Sequence, residues 1–351
     1  MIDTVETTGL ARRVRGLGTV WFCALGLAVL AVSVAVAITI GPADLSVGDV
    51  WSVLAAKTGL GESGLSQIRT GIVWNLRLPR ALLAAVCGAG LAVCGAVMQA
   101  LLRNPLADPF VLGVSSGAST GAVFVIVLGV GGGALPVQGG AFVGAVLSFG
   151  VLLVLGQTLG ATTERVVLSG VAVMQLFSAL TSFIVLTAAD AETTRGVLFW
   201  LLGSFASASW AEVLVCAVVL GGVLLVCFGY STSLDGFAFG QDAAASLGVA
   251  VARTRLVLLC VTALLTAVLV SSVGAVGFIG LVLPHAARAL VGSGHRRLIP
   301  VAAVTGAVFL VWVDTAARTL LDPQEIPVGV VTALIGVPAF VLVLYRTRFG
   351  R

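Results

Sequence analysis

Two arginines three residues apart, Arg77 and Arg80, stand directly before an apolar run at 81–102. A guanidinium at a wet interface can hold a carboxylate through two parallel hydrogen bonds. A polar segment, 103–109, separates this run from a second apolar run. Small residues let apolar helices approach closely, and glycine recurs here at 88, 90, 95, 113, 117 and 121. The pattern predicts a membrane protein whose helices carry out a function, rather than helices that only anchor a chain in the membrane.

Other chemistry-bearing patterns are missing from the sequence. The single lysine, Lys57, lies in no Gly-rich phosphate-binding loop, so we expect no P-loop ATPase site in the chain and no enzymatic activity of its own. The six cysteines, at 23, 87, 94, 216, 227 and 260, lie in apolar runs without a CxxC pair, which is typical of small buried hydrophobic residues. We therefore expect no metal site and no cofactor, and the lack of a basic run predicts no nucleic-acid partner.

The composition requires a membrane. Of 351 residues, 59% are hydrophobic and 10% are charged, and the mean hydropathy is +1.15. A soluble globular protein carries about 25% charged residues, so this chain could not cover its own surface in water. We predict an all-α integral membrane protein surrounded by membrane lipid.

Ten apolar runs are long enough, or nearly so, for helices across a bilayer. They are 19–40, 81–102, 110–130, 138–158, 166–189, 210–230, 255–276, 277–292, 299–320 and 326–346. Nine would result if 255–292 were one bent element. The first run is too long for the hydrophobic region of a signal peptide, so it predicts an uncleaved span after a tail, 1–18.

Basic residues set the expected orientation. With ten spans and the N-terminus inside, thirteen of the nineteen Lys and Arg residues fall on the cytoplasmic side. This bias follows the positive-inside rule and predicts a multi-pass protein of the cell membrane with both termini in the cytoplasm. Only one cytoplasmic segment, 231–254, is sizeable.

The energy source must come from elsewhere. Gradient-driven pumps usually carry ionisable residues inside their spans, and this chain has few. A channel, or a permease driven by a separate ATPase, is favoured. A weak internal repeat supports a transporter: Gly-Ala-Val at 95–97 and at 274–276 each precede a proline, Pro105 and Pro284, at the same distance, as in an inverted repeat.

Several blocks, in order and with natural spacing over nearly the whole chain, resemble one family. They are RLPR (77–80), GAVMQALLRNPLADP (95–109), LGVSSGA (112–118), GQDAAASLGV (240–249), GAVGFIGLVLPHAAR (274–288) and IPVGVVTALIGVPAFVLVL (326–344). The sequence is similar to FecCD-type permease subunits of ABC importers for ferric siderophores, haem and cobalamin. The resemblance implies a type II ABC importer permease fold of about ten transmembrane helices, with 1–351 as a single domain.

The resemblance also implies partners and sites. The permease would pair with a second permease subunit, with ABC ATPase subunits and with an extracytoplasmic substrate-binding protein. Arg77, Arg80 and Arg318 match outer arginines that dock acidic residues of the binding protein; ordinary snorkelling at the interface is the alternative. In the loop 231–254, six residues match the family's ATPase coupling loop: Gly240, Gln241, Ala243, Ala244, Leu247 and Gly248.

Two further sets follow from the resemblance. Thr162 and Thr163 match the cytoplasmic gate. Gln175, Ser178 and Ser182 share one face of the fifth span, which lines the translocation path at the dimer interface in the family; hydrogen bonding between helices of one subunit is the equal alternative.

We therefore predict the permease of an importer for iron–siderophore cargo. The same architecture carrying cobalamin or haem is the first alternative, and a secondary transporter acting alone is the second.

Overall fold

The structure is a computed structural model that describes residues 3–41, 43, 45–61, 64–130, 135–158 and 163–349. Side chains are described for these residues except 3–19, 163, 343, 344 and 346–349. Throughout the described ranges the regular elements are helices, and no strand occurs among them.

In chain order the α-helices are α1 (Asp3–Thr39), α2 (Val47–Lys57), α3 (Gln67–Gly71), α4 (Leu78–Leu101), α5 (Val114–Leu128), α6 (Val137–Thr158), α7 (Thr163–Ala188), α8 (Ala191–Leu202), α9 (Trp210–Gly229), α10 (Ser231–Phe237), α11 (Gln241–Ser246), α12 (Val251–Val273), α13 (Ile279–Val291), α14 (His295–Ala317) and α15 (Val328–Phe349). A π-helical turn, Ile72–Arg77, joins α3 to α4, and a 3₁₀ turn, Pro109–Leu112, precedes α5.

The helices confirm the expected membrane architecture. Within the described residues, seven helical runs are long and apolar enough to cross a membrane, and three shorter apolar helices accompany them. The seven lie in α1, α3–α4, α6, α7, α9, α12 and α14, and the three in α5, α13 and α15. These ten segments are the ten runs predicted from the sequence, so the chain is an all-α multi-pass membrane protein.

Several boundaries differ from the predicted ones. α1 begins at Asp3, so residues 3–18, predicted as a tail, are helical. The second span is part of a helical run that begins at Gln67, and Pro79 lies in this run just after the π-helical turn Ile72–Arg77. α8 was not expected as a helix, although Asp190 is a recognisable start signal: its carboxylate accepts a hydrogen bond from the Thr193 N–H at 2.7 Å. This hydrogen bond from the Thr193 N–H lowers the pKa of Asp190.

α4 is the central helix of the bundle. Most of its residues are buried, and it packs against α9, α12, α13 and α14. It approaches α14 very closely, because a Cβ on Gly88 would lie 2.1 Å from the Gly306 carbonyl oxygen. Only glycine permits this approach, so the two helices form one tightly packed pair.

The two Gly-Ala-Val triplets are not structurally equivalent. Residues 95–97 lie inside α4, whereas 274–276 lie in the irregular break between α12 and α13. The 3₁₀ turn before α5 and the first turn of α13 instead meet each other: a Cβ on Gly280 would lie 2.8 Å from Cδ of Pro109. The inverted-repeat prediction therefore fails for the triplets themselves.

The bundle has two ends. At the Arg80 end, α1 finishes, α4 begins and α14 finishes, and α2 lies nearby. At the His295 end, α14 begins and α10 packs against α4, α9 and α14. The sequence predicts that the Arg80 end faces outward and the His295 end faces the cytoplasm.

Candidate functional site

Arg80 is the centre of a charged cluster at the Arg80 end. Its Nε and Nη2 donate to the carboxylate of Asp314 at 2.9–3.1 Å, and its Nη1 and Nη2 donate to the carboxylate of Glu325 at 2.9 and 3.0 Å. The side chain of Asp314 is 4% exposed and that of Glu325 is 42% exposed. Arg80 therefore joins α4 to α14 and to the segment before α15.

The other two predicted docking arginines close the end of α1. Arg77 donates from Nη1 to the Ile38 carbonyl at 2.7 Å, and Arg318 donates from Nη1 to the Ile40 carbonyl at 2.6 Å and from Nη2 to the Ala37 carbonyl. The last carbonyls of a helix lack intrahelical partners and carry partial negative charge. Two guanidinium groups from different helices thus satisfy the end of α1.

The structure brings Arg77, Arg80 and Arg318 to one place, as a shared docking face requires. It also gives each of them partners inside the chain, which the sequence reasoning missed for Arg77 and Arg80. Arg318 also pairs with Asp314, four residues before it, but at 4.0 Å this pair is looser than the Arg80–Asp314 pair. Glu325, just before Ile-Pro, could have been noticed as one of the few acidic residues beside a span. Docking by these arginines stays a prediction.

The predicted coupling residues form a compact unit at the His295 end. α10 and α11 are two short helices that pack together, and Gly240 at their junction has a φ of +106°, a conformation that glycine adopts without strain. The side chains of Ala244 in α11 and of Leu234 and Phe237 in α10 are fully buried. The segment predicted as a loop, 231–254, thus contains these two helices and the start of α12.

The unit exposes two large apolar side chains, alongside the exposed polar residues Asp242 and Ser246. The side chains of Phe239 and Leu247 are 75% and 71% exposed, and Ala245 beside them is also exposed. Large exposed hydrophobic residues on a short rigid unit are typical of a protein-binding surface. Gln241 is turned away and helps to line a cavity of about 330 Å³ between α6, α11 and α12, together with Gln157 and Arg255.

A hydrogen-bonded pair fixes α10 to α14. One carboxylate oxygen of Asp235, Oδ1, accepts from the backbone N–H of His295 at 2.9 Å and lies 2.7 Å from its Nδ1. The side chain of His295 is 9% exposed and that of Asp235 is 44% exposed. Sequence reasoning missed this pair, since sixty positions separate its members.

The predicted pathway residues lie on the exposed face of α7. Gln175, Ser178 and Ser182 are all exposed in the single chain, and the Ser182 hydroxyl donates to the Ser178 carbonyl of its own helix at 3.0 Å. A hydrogen bond between helices is made on the buried side of α7 instead, where the hydroxyls of Thr181 and Thr120 are 2.8 Å apart. The three residues are therefore available to a second subunit or to a pathway.

The predicted gate falls largely outside the structure. Thr162 lies outside the described residues, and for Thr163, the first residue of α7, only the backbone is described.

The carboxylate of Asp108 lies where the turn before α5 meets the start of α13. Asp108 accepts a hydrogen bond from the Phe110 N–H at 2.9 Å and so caps the 3₁₀ turn. Burial raises its pKa to about 6, and the hydrogen bond from Phe110 opposes that rise. Nearby, Gln99 donates to the Gly280 carbonyl at 3.2 Å and accepts a hydrogen bond from Arg288. These contacts hold α4, α13 and the turn before α5 together.

The sequence and the fold both match known transport proteins. The sequence model of the FecCD transport family matches residues 29–346. The uncharacterized ABC transporter permease protein YvrB of Bacillus subtilis is 38% identical over 93% of this chain and 94% of its own length. The cobalamin import system permease protein BtuC of Halobacterium salinarum is 42% identical over 81% of this chain and 76% of its own length.

Among solved structures, an inward-facing conformation of a metal-chelate type ABC transporter matches with a TM-score of 0.81 and 31% identity. The match covers 93% of this chain and 99% of that one. Relatives named as hemin, iron(3+)-hydroxamate and molybdate permeases match as well. The chain, with its ten apolar helical segments and its match over nearly the full length, belongs to the FecCD transport family of ABC transporter permeases.

Proposed function

We propose that this chain is the membrane permease subunit of an ATP-driven importer for iron–siderophore complexes. The observation that carries the proposal is the unit α10–α11, with Phe239 and Leu247 exposed on a rigid, glycine-delimited fold at the His295 end. Such a surface suits an apolar groove on a partner, and a permease without a P-loop needs an ATPase partner. In this proposal the His295 end and both termini face the cytoplasm.

The ATPase would act through this unit. ATP binding and hydrolysis in two partner subunits move Gly240–Gly248, and the connected helices tilt so that access to the path alternates. A second permease subunit, either the same chain or a related one, completes the path along α7. Gln175, Ser178 and Ser182 then face the cargo with neutral polar groups, which bind it weakly. Thr163, the first residue of α7, and its sequence neighbour Thr162 close the cytoplasmic side.

At the other end, the charged cluster would receive the binding protein. Arg80 already holds Glu325, whose carboxylate is 42% exposed, so the cluster accommodates acidic groups at the surface. Acidic side chains of a binding protein would approach Arg77, Arg80 and Arg318 here, and complementary charge speeds such an encounter.

Cobalamin is the second candidate cargo, because the 42% identical relative from Halobacterium salinarum is named for cobalamin import. The iron–siderophore proposal is supported by the hydroxamate permease FhuB of Bacillus subtilis, which is 34% identical over 96% of this chain. Haem is the cargo in the name of a third relative.

A competition experiment separates these cargoes. The permease is reconstituted in liposomes with the ATPase and binding protein of its own organism, and uptake of radiolabelled ferric hydroxamate is measured with excess unlabelled cyanocobalamin or hemin. The proposal expects ATP-driven ferric hydroxamate uptake that neither competitor reduces. Uptake of cobalamin but not of the iron complex would replace the proposed cargo and leave the importer function intact.

A further inference from the structure

α14 is anchored by polar contacts at both of its ends. At its start, His295 is held by Asp235 of α10; near its other end, Asp314 is held by Arg80 of α4. The helix has 23 residues, which corresponds to about 34 Å at 1.5 Å per residue and so to the thickness of the hydrocarbon core. α14 therefore connects the coupling helices α10–α11 with the charged cluster at the opposite end.

The contact at the start of α14 supplies a missing helix cap. The N-cap position is occupied by Gly294, which has no side chain to accept a hydrogen bond from the first turn. Asp235 takes over that role from a different helix, since its Oδ1 accepts the His295 N–H at 2.9 Å. The same oxygen lies 2.7 Å from Nδ1 of His295. An ionised carboxylate only accepts hydrogen bonds, so Nδ1 carries the proton in this pair.

Buried apolar side chains hold the rest of α10 in the bundle. Leu234 and Phe237 are fully buried, and they fix the position of the helix without fixing its direction relative to α14. Two hydrogen bonds to a single carboxylate oxygen do fix that direction. The carboxylate also faces the partial positive charge at the start of α14, which strengthens the contact.

We infer that Asp235 is a positioning residue that joins the coupling helices to α14 through His295. A force applied to Phe239 and Leu247 by a partner then moves the start of α14, and α4 moves with α14 because the two helices pack tightly at Gly88 and Gly306. The contact is a mechanical joint between the partner-binding unit and the transmembrane bundle. This inference rests on the proposed function, because it assigns the joint a role in ATP-driven transport.

Four single variants test the joint: Asp235→Ala, Asp235→Asn, His295→Ala and His295→Asn. Asparagine at 235 keeps an acceptor at Oδ1, and asparagine at 295 keeps a donor near the position of Nδ1. We expect the two alanine variants to lower ATP-driven uptake in proteoliposomes about ten-fold, the size of effect that a hydrogen bond to a charged group supports. The asparagine variants should stay within about three-fold of wild type, since most of the geometry survives.

The readout separates positioning from stability. The assembled complex should form in normal amount, the KM for ATP and the basal ATPase rate should stay unchanged, and stimulation of the ATPase by the binding protein should fall together with uptake. The double variant Asp235→Ala/His295→Ala should be no worse than Asp235→Ala alone, because loss of the carboxylate already removes both hydrogen bonds that His295 donates. If the alanine variants do not accumulate, Asp235→Glu, which keeps the charge and lengthens the side chain, should show the same loss with normal assembly.

Two results overturn the inference. One is uptake within two-fold of wild type in assembled Asp235→Ala, or in Asp235→Glu where the alanine variants do not accumulate. The other is a loss in the asparagine variants as large as in the alanine variants, which would exclude the hydrogen bond as the cause. The wild-type protein is measured first: absence of ATP-driven uptake there refutes the proposed function, whereas wild-type uptake that survives in Asp235→Ala refutes only the joint.

Discussion

Arg80 holds two carboxylates that lie far away in the sequence, and one of them is nearly inaccessible to water. Asp314 is 234 positions from Arg80 and Glu325 is 245 positions away. A buried carboxylate without a partner lowers the free energy of unfolding. The contribution of Arg80 is chiefly to pair with Asp314 and so to prevent that loss.

Replacing Arg80 by alanine should destabilise the fold strongly. Asp314, with 4% of its side chain exposed, would lose its main partner, and breaking a buried ion pair costs about 3 kcal/mol or more. The apparent melting temperature of the detergent-solubilised protein measures this loss. Arg69→Ala is the matched control, because Arg69 is exposed and its replacement should change stability by less than about 0.5 kcal/mol. Equal melting temperatures for the two variants would contradict the role of Arg80.

Asp108 should make stability depend on pH. Its pKa is raised from 3.8 to about 6 by burial, so the folded state binds its proton more tightly than the unfolded state does. The stabilising contribution is present at low pH and is lost as the pH rises from about 4 through 6. Asp108→Asn keeps the acceptor for the Phe110 N–H and removes the titration. We expect the variant to melt higher than wild type at pH 7 and the difference to vanish near pH 4; a pH-independent difference would count against this account.

At the scale of helices, the close packing of α4 against α14 is one of the most demanding contacts. A Cβ on Gly88 would lie 2.1 Å from the Gly306 carbonyl, and backbone cannot move aside as a flexible side chain can. Gly88→Ala should therefore separate the pair and lower stability by about 2 kcal/mol, as overpacking does. Gly222→Ala in α9 is the control, since nothing lies within 4 Å of its Cβ position. A stable, monodisperse Gly88→Ala protein would show that the helices do not need this approach.

The unit α10–α11 should capture the ATPase through its apolar face. Leu247 is 71% exposed, and a charge placed there would have to be desolvated on binding. Leu247→Glu should weaken co-purification of the ATPase subunits at least about ten-fold while membrane insertion stays normal. Leu60→Glu introduces the same charge at an 83% exposed leucine near the Arg80 end and should leave co-purification unchanged. Similar losses in both variants would point to a general defect rather than to a binding face.

For the whole molecule, much of the fold was predictable from the sequence because lipid accepts only long apolar helices. The ten segments and the family both follow from runs and blocks that are contiguous in the chain. The partners of Arg80 and the Asp235–His295 pair did not follow, because only the packed bundle brings together residues so far apart. The helix α8 was not predicted, although Asp190 is a typical N-cap residue. Its short sequence between two spans instead predicts a loop.

The same limit applies to the candidate site. The exposed face of α7 could be inferred from residue spacing, and the structure leaves Gln175, Ser178 and Ser182 on it. The sequence could not show that Arg77 and Arg318 donate hydrogen bonds to the last carbonyls of α1. The carbonyls at the end of α1 meet these side-chain donors only in the folded chain.

ATP dependence of uptake is the most direct test of the importer account. The permease, its ATPase and its binding protein are reconstituted in liposomes, and accumulation of radiolabelled ferric hydroxamate is compared with and without ATP in the absence of any ion gradient. The account predicts accumulation only when ATP, the ATPase and the binding protein are all present. Accumulation by the permease alone, driven by an imposed proton or sodium gradient, would contradict it.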